Sequence, residues 1–146
     1  MGSGSDRPVM LKAGMMLEEF GIEHEVRVLS AHKTPDEAIE FAATAADQGF
    51  EVIIAGAGKA AHLAGVMAAK SLLPVIGVPI SASLDGMDAL LATVQMPTGV
   101  PVATVAIDGS TNAALLAVAM LAIDDEDLAK ALAEYRKDLA AKTLAG

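Results

Sequence analysis

Two short stretches of this chain hold most of the side chains able to do chemistry. The first is Gly56-Ala57-Gly58-Lys59-Ala60-Ala61-His62, fed by the apolar run Val52 to Ala55 and followed by a helical run. A buried strand, a turn at Gly56 to Gly58 and a helix opening near Lys59 or Ala60 would bring backbone N–H groups close to an anion. Gly56-x-Gly58-x-x-Ala61 formally fits the dinucleotide fingerprint, which requires an acid at the tip of the next strand to hold a ribose. That strand, Pro74 to Ile80, ends in Ser81-Ala82-Ser83 with no acid. Lys59 and His62 are also foreign to a plain dinucleotide loop. The turn therefore reads as a phosphate or carboxylate site.

The second stretch is Ser30-Ala31-His32-Lys33-Thr34-Pro35, at the C-terminal end of an expected strand, Glu25 to Leu29. In open α/β sheets ligands bind at that edge. A lone loop histidine is usually structural or solvated, but His32 stands beside a cation and a serine. Residues 1–6, MGSGSD, admit two readings. They are either a linker remnant or a phosphate loop in which Ser3 and Ser5 supply hydroxyls and Asp6 sits near a helix start. The remaining polar features read as structure: His24 as a surface residue, and Asp85, Asp88 and the acids at 124–127 as caps and solvated faces. They form no convincing catalytic pair, and three scattered histidines add no metal cluster.

The elements that must position these residues alternate along the chain. Helices are expected from Pro8 to Phe20, Pro35 to about Gln48, Lys59 or Ala60 onward, Gly86 to Val94, about Asn112 to Ala122, and Asp124 or later to Lys142. Strands are expected at Glu25–Leu29, Val52–Ala55, Pro74–Ile80 and Val102–Ile107. This is a three-layer α/β/α sandwich on a parallel sheet, with residues 1–146 forming one domain and 124–146 its C-terminal helix. None of the four strands precedes the first loop, although such a loop normally hangs from one.

Composition narrows the partners. Apolar residues make up 53% of the 146, aromatics only 3%, and mean hydropathy is +0.48. That excess of Ala, Val, Leu, Ile and Met suits helices packed closely on a sheet, with surface left for subunit contacts. A net charge of −9 argues against nucleic acid or an anionic membrane. An anionic ligand must find a local positive pocket, for which Arg7, Lys33, Lys59 and Lys70 are the candidates. The chain has no cysteine, hence no disulfide, thiolate metal site or cysteine nucleophile. No signal peptide is visible and the longest apolar helical run, Ala113 to Ile123, is shorter than a membrane span. The expected location is the cytoplasm.

Taken together and in order, MGSGSD, SAHKTP, AGAGKAAHL, PVIGVP, VQMPTGVPVATVAI and NAALLA resemble the N5-carboxyaminoimidazole ribonucleotide mutase family of purine synthesis. The resemblance covers nearly the whole chain, and its His62-Leu63 form is similar to the bacterial mutase branch. It implies a flavodoxin-like fold and a homo-oligomer, usually an octamer, with sites shared between subunits. It implies a carboxyl transfer from the exocyclic nitrogen of an aminoimidazole ribonucleotide to a ring carbon, without metal or organic cofactor. It also implies roles: His32 as general acid/base, Ser3, Ser5 and Lys33 facing the phosphate, and Asp6 the ribose hydroxyls. Ser30, Gly58, His62 and the adjoining Lys59 and Leu63 fall to the base and carboxylate. Histidine, with an ordinary pKa of about 6.5, suits proton transfer at neutral pH. A small closed pocket walled by Ala55 to Ala61 would retain carbon dioxide.

The chain departs from that family pattern at several places. Lys33 stands for a usual Arg, keeping charge but losing the bidentate fork. Lys59 stands for a glycine, Ala64 for a proline, and Ala89 and Ala92 for serines. The family's first strand, ordinarily just before the MGS loop, is absent, for which a misplaced start site or a trimmed chain is the simpler explanation. Two alternatives follow. A divergent paralogue acting on another anionic substrate would account for Lys59 and Ala64. A non-catalytic oligomeric nucleotide binder would account for the absent strand.

Overall fold

A computed structural model describes all of residues 1–146. Three parallel strands, β1 (Ile53–Gly58), β2 (Val75–Ile80) and β3 (Ala103–Thr104), lie in the order β1-β2-β3. β1 and β2 pair from Ile53 opposite Val75 to Gly58 opposite Ile80. Six α-helices surround them: α1 (Arg7–Glu19), α2 (Pro35–Thr44), α3 (Leu63–Lys70), α4 (Met87–Val94), α5 (Ser110–Leu121) and α6 (Glu126–Leu144).

The period of two along a strand divides the core into two faces. Ile76, Val78 and Ile80 turn toward α1 and α5, where they meet Met10, Ala13, Leu17, Ala114 and Val118. Ile53, Ala55 and Val75 turn the other way, onto α2 and α3 through Ala38, Ala42, Leu63 and Met67. β2 is buried along its whole length, as the central strand of a parallel sheet must be. Small residues let the layers close up. Gly77 faces α4, where an added Cβ would lie 2.4 Å from Thr93 Cγ2. Ser110, fully buried at the start of α5, donates its hydroxyl to Val9 O at 2.6 Å and ties α5 to α1.

Four expectations need correction. Residues 25–29 form no strand, since their ladder-like main-chain bonds are confined to one point. There the Met1 amine donates to Arg27 O at 2.8 Å and Leu29 N–H donates to Met1 O at 2.9 Å. The expected strand Val102–Ile107 shrinks to Ala103–Thr104. Val105 N–H still reaches Gly77 O, but Asp108 N–H, not that of Ile107, reaches Pro79 O, so one residue bulges out of the ladder. β1 continues through Gly58, and the helix after it opens at Leu63, not at Lys59 or Ala60. His24 is half-buried, its ring lying over Gly14 of α1.

No helix is long and apolar enough to cross a membrane.

Candidate active site

The loop at residues 1–6 is built by its own side chains. Ser3 caps the short turn Gly4–Asp6 and Asp6 closes a capping box, accepting from Ser3 N–H at 2.9 Å. Ser3 Oγ accepts from Ser5 N–H at 3.3 Å and from the Ser5 hydroxyl at 2.9 Å. The Ser5 hydroxyl also lies 3.3 Å from Asp6 Oδ1. Asp6 is therefore buried, with both carboxylate oxygens engaged in its own loop. Gly2 N–H donates to Gly56 O at 2.9 Å, which fixes this loop beside the end of β1.

The turn after residues 25–29 is also self-supporting. Ser30 Oγ, buried, accepts from Lys33 N–H at 3.2 Å and from His32 N–H at 3.4 Å. Thr34 Oγ1 accepts from Ser30 N–H at 2.8 Å. These bonds, with Pro35 at the first position of α2, hold His32 and Lys33 out on the turn.

The third turn, Lys59 to His62, links β1 to α3. Lys59 sits at φ 56, the left-handed region that favours glycine. Ala61 N–H bonds Lys59 O and His62 N–H bonds Ala60 O, both at 2.8 Å. Two of the N–H groups expected to cradle an anion are thus consumed inside the turn. The main chain leaves free those of Lys59, Ala60 and, at the start of α3, Leu63. Gly58 must stay small, since a Cβ there would meet Ala82 Cβ and Ile80 O, each at 3.0 Å.

The three turns converge on one cavity of about 410 Å³. Ser3, Ser5, Asp6, Ser30, His32, Lys33, Gly58, Lys59 and Leu63 all line it. His62 joins through His32: its Nδ1 lies 2.7 Å from His32 Nε2, and the rings meet edge to face with centroids 4.8 Å apart. Of the four candidate cations, Lys33 and Lys59 are in the wall. Arg7 is not, and Lys70 lies at the far end of α3. Gly2, Ala31, Ala57, Ala60 and Ala82 complete the wall. Ala82 comes from the loop after β2, and nothing in an alanine's local sequence marks it for a site.

Positive charge in the wall comes from Lys33 and Lys59, and the field of Lys59 reaches Asp88. The Asp88 carboxyl is held below its ordinary 3.8 chiefly by a hydrogen bond from the Ser83 hydroxyl, then by backbone N–H groups including that of Ala89, and by Lys59. Burial lowers the Met1 amine, against the opposing pull of Asp6. No three His, Asp or Glu side chains gather closely enough to hold a metal ion. A single chain leaves the cavity open, with His32, Lys33, Lys59 and His62 all exposed. The closed pocket expected from the sequence is not made by one subunit's own walls.

Known proteins of the same kind share both sequence and shape. The AIR carboxylase family matches residues 1–142. The N5-carboxyaminoimidazole ribonucleotide mutase of Pyrococcus abyssi is 56% identical over 140 residues, covering 95% of this chain and 80% of that protein. The mutase of Pyrococcus horikoshii is 55% identical over 143 residues, 97% of this chain and 81% of its own length. The crystal structure of Treponema denticola PurE superposes with a TM-score of 0.88 at 30% identity, covering 99% of this chain and 91% of that one. The architecture is accordingly the flavodoxin-like three-layer α/β/α sandwich.

Proposed function

The chain belongs to the AIR carboxylase family, and from that premise we propose how it carries out the mutase reaction named for its relatives. It moves a carboxyl group within an aminoimidazole ribonucleotide, from the exocyclic nitrogen to the ring carbon, in purine biosynthesis. The observation that carries this reading is the contact between His32 and His62 beside a cavity that the serine loop also lines.

The nucleotide lies with its phosphate toward Ser3, Ser5 and Lys33 and its ribose beside Asp6. The base and carboxylate lie against Gly58, Lys59, Leu63 and the histidines, above Ser30. His32, as general acid, protonates the exocyclic nitrogen while its bond to the carboxyl carbon breaks, releasing carbon dioxide and the free aminoimidazole. The electron-rich ring carbon then attacks the trapped carbon dioxide. The proton displaced from that carbon returns to His32, so atoms and charge balance with no cofactor consumed. Free N–H groups at Ala60 and Leu63, and the Lys59 ammonium, favour the carboxylate during its passage.

Retention of carbon dioxide requires a cover that this chain lacks, and a homo-oligomer, usually an octamer in such proteins, supplies it from a neighbouring subunit. Exposed Leu72, Leu84, Met15 and Ile123 support that assembly. Residues 1–146 act as one domain, in the cytoplasm.

The test is an ultraviolet assay of interconversion of the two carboxylated aminoimidazole ribonucleotides by purified protein. Turnover is expected, and His32→Asn should lower it by about 100-fold or more with the circular dichroism spectrum retained. Undiminished turnover in that variant would remove His32 from its role, and binding without any turnover in the unaltered protein would favour a nucleotide-binding module.

A further inference from the structure

His32 Nε2 and His62 Nδ1 meet at 2.7 Å on two turns whose main chains are fixed independently. His32 N–H is held by Ser30 Oγ at 3.4 Å and His62 N–H by Ala60 O at 2.8 Å. Beyond those anchors both rings are exposed. In a neutral pair one of the two facing nitrogens carries a hydrogen and the other a lone pair. A change of tautomer in one ring, with no change of charge, makes both of them lone-pair donors aimed at one place.

Neutral imidazole suits borderline transition-metal ions such as Zn²⁺, Ni²⁺ and Cu²⁺, and either ring nitrogen serves. Tetrahedral zinc, with bonds of about 2.0–2.1 Å, sets two such nitrogens about 3.3 Å apart. The pair is therefore about 0.6 Å too close, and turning the two exposed rings about χ2, a broad torsion, both opens that gap and converges the lone pairs. Two influences of the surroundings oppose each other. Lys33 and Lys59 in the adjoining wall repel a cation, but both are exposed, and salt screens such charges over about 8 Å. The chain as a whole carries −9, which draws cations in. Two direct nitrogen bonds outweigh a screened repulsion.

We infer that His32 and His62 together chelate Zn²⁺ or a similar ion, and that occupation of this site inhibits the enzyme. Each ring gives one lone pair to the ion, two of the ion's waters leave, and no proton is released. Two nitrogens are too few for a resident metal centre, which takes three or four protein donors, and no third His, Asp or Glu stands close. They suffice for reversible binding, with water in the remaining positions. The chain offers no rival of this kind: it has no cysteine, and its only other histidine, His24, is half-buried over Gly14. Hard ions such as Mg²⁺ prefer oxygen ligands and gain little from the pair. Once its Nε2 is bound to metal, His32 can neither give nor accept a proton there. The inhibition thus rests on the proposed role of His32, while the chelation does not.

The probe is zinc chloride, titrated by calorimetry into the whole, untagged, substrate-free protein. Saturable binding of one ion per chain is expected, with no binding heat from magnesium chloride. His32→Ala and His62→Ala should each weaken zinc binding by about tenfold or more, since a chelate loses one of its two arms. His24→Ala should leave it unchanged. In the unaltered protein zinc should shift or broaden the ring-proton resonances of two histidines and spare the third. In the ultraviolet assay zinc should inhibit over the concentration range in which it binds, and EDTA should restore turnover. No saturable binding below millimolar zinc, binding undiminished in either His32→Ala or His62→Ala, or binding lost in His24→Ala each overturns the chelation. Zinc bound at the pair with turnover intact overturns the inhibition. Failure of the proposed reaction itself would show differently, as no turnover in metal-free protein with the calorimetry unaffected.

Discussion

His32 Nε2 and His62 Nδ1 lie 2.7 Å apart with their rings at 84°, although 30 residues separate them in the chain. At that distance one nitrogen donates and the other accepts, so a single proton lies between them. His62 thereby selects the tautomer and orientation of His32. His62→Ala should lower kcat by about 10- to 100-fold through misplacement of His32. His62→Asn, whose amide can reach the position of Nδ1, should recover most of that loss. If the two variants are equally impaired, His62 acts on the substrate directly and not by holding its neighbour.

Lys59 occupies the left-handed region at φ 56, where an L side chain carries a cost of about 1–2 kcal/mol. Glycine relieves it but loses about 0.5–1 kcal/mol to chain entropy. Lys59→Gly should therefore leave the protein slightly more stable, by under about 1 kcal/mol, as read from urea midpoints. The same variant removes an ammonium from the cavity wall, so KM for the carboxylated substrate should rise several-fold. A large gain in turnover instead would show that Lys59 crowds the site.

Gly77 and Gly56 are both closed in, but by different neighbours. A Cβ at position 77 would lie 2.4 Å from Thr93 Cγ2 and 2.9 Å from Val102 Cγ1. Thr93 is buried, β-branched and held by its hydroxyl's bond to Ala89 O at 2.7 Å, so it cannot yield. At position 56 the obstruction is Met10 Sδ at 2.3 Å, part of a flexible side chain. Gly77→Ala should cost about 3 kcal/mol and Gly56→Ala about 1 kcal/mol. Thermal denaturation that ranks them the other way would mean that Met10 is the more rigid neighbour.

Asp6 holds the serine loop through its bond with Ser3 N–H at 2.9 Å. Asp6→Ala should cost about 1 kcal/mol, the usual size of a lost cap. It should raise KM for the ribonucleotide more than it lowers kcat, because in the proposed mechanism the loop binds but does not react. Equal losses in both parameters for an intact fold would place Asp6 nearer the chemistry.

Asp88 carries the acid-range prediction. Its folded pKa lies below its ordinary 3.8, first through the Ser83 hydroxyl, then the backbone N–H groups and Lys59. The unfolded chain thus binds the proton more readily, and the contribution is fully present above pH 3.8 and lost as pH falls through the lower folded value. Asp88→Asn should be less stable than the unaltered protein at neutral pH, and the difference should vanish in strong acid. A difference that persists there would assign the effect to geometry, not charge.

Much of this protein was legible in local pattern. Glycines and prolines punctuated the helices, continuous apolar runs marked β1 and β2, and the polar turns at strand ends pointed to residues 30–35 and 56–62. These are properties of neighbours along the chain, set by side-chain volume and backbone freedom. Whether residues 25–29 become a strand was not such a property. Their alternation is strand-like, but a strand exists only through its partners, and here Met1 alone provides one. The same holds at the site. Sequence named His32 and His62, but their contact, the inclusion of Ala82 and the internal use of the Ala61 and His62 N–H groups depend on how three turns meet in space. Local chemistry supplied the parts, and packing between distant segments determined which of them touch.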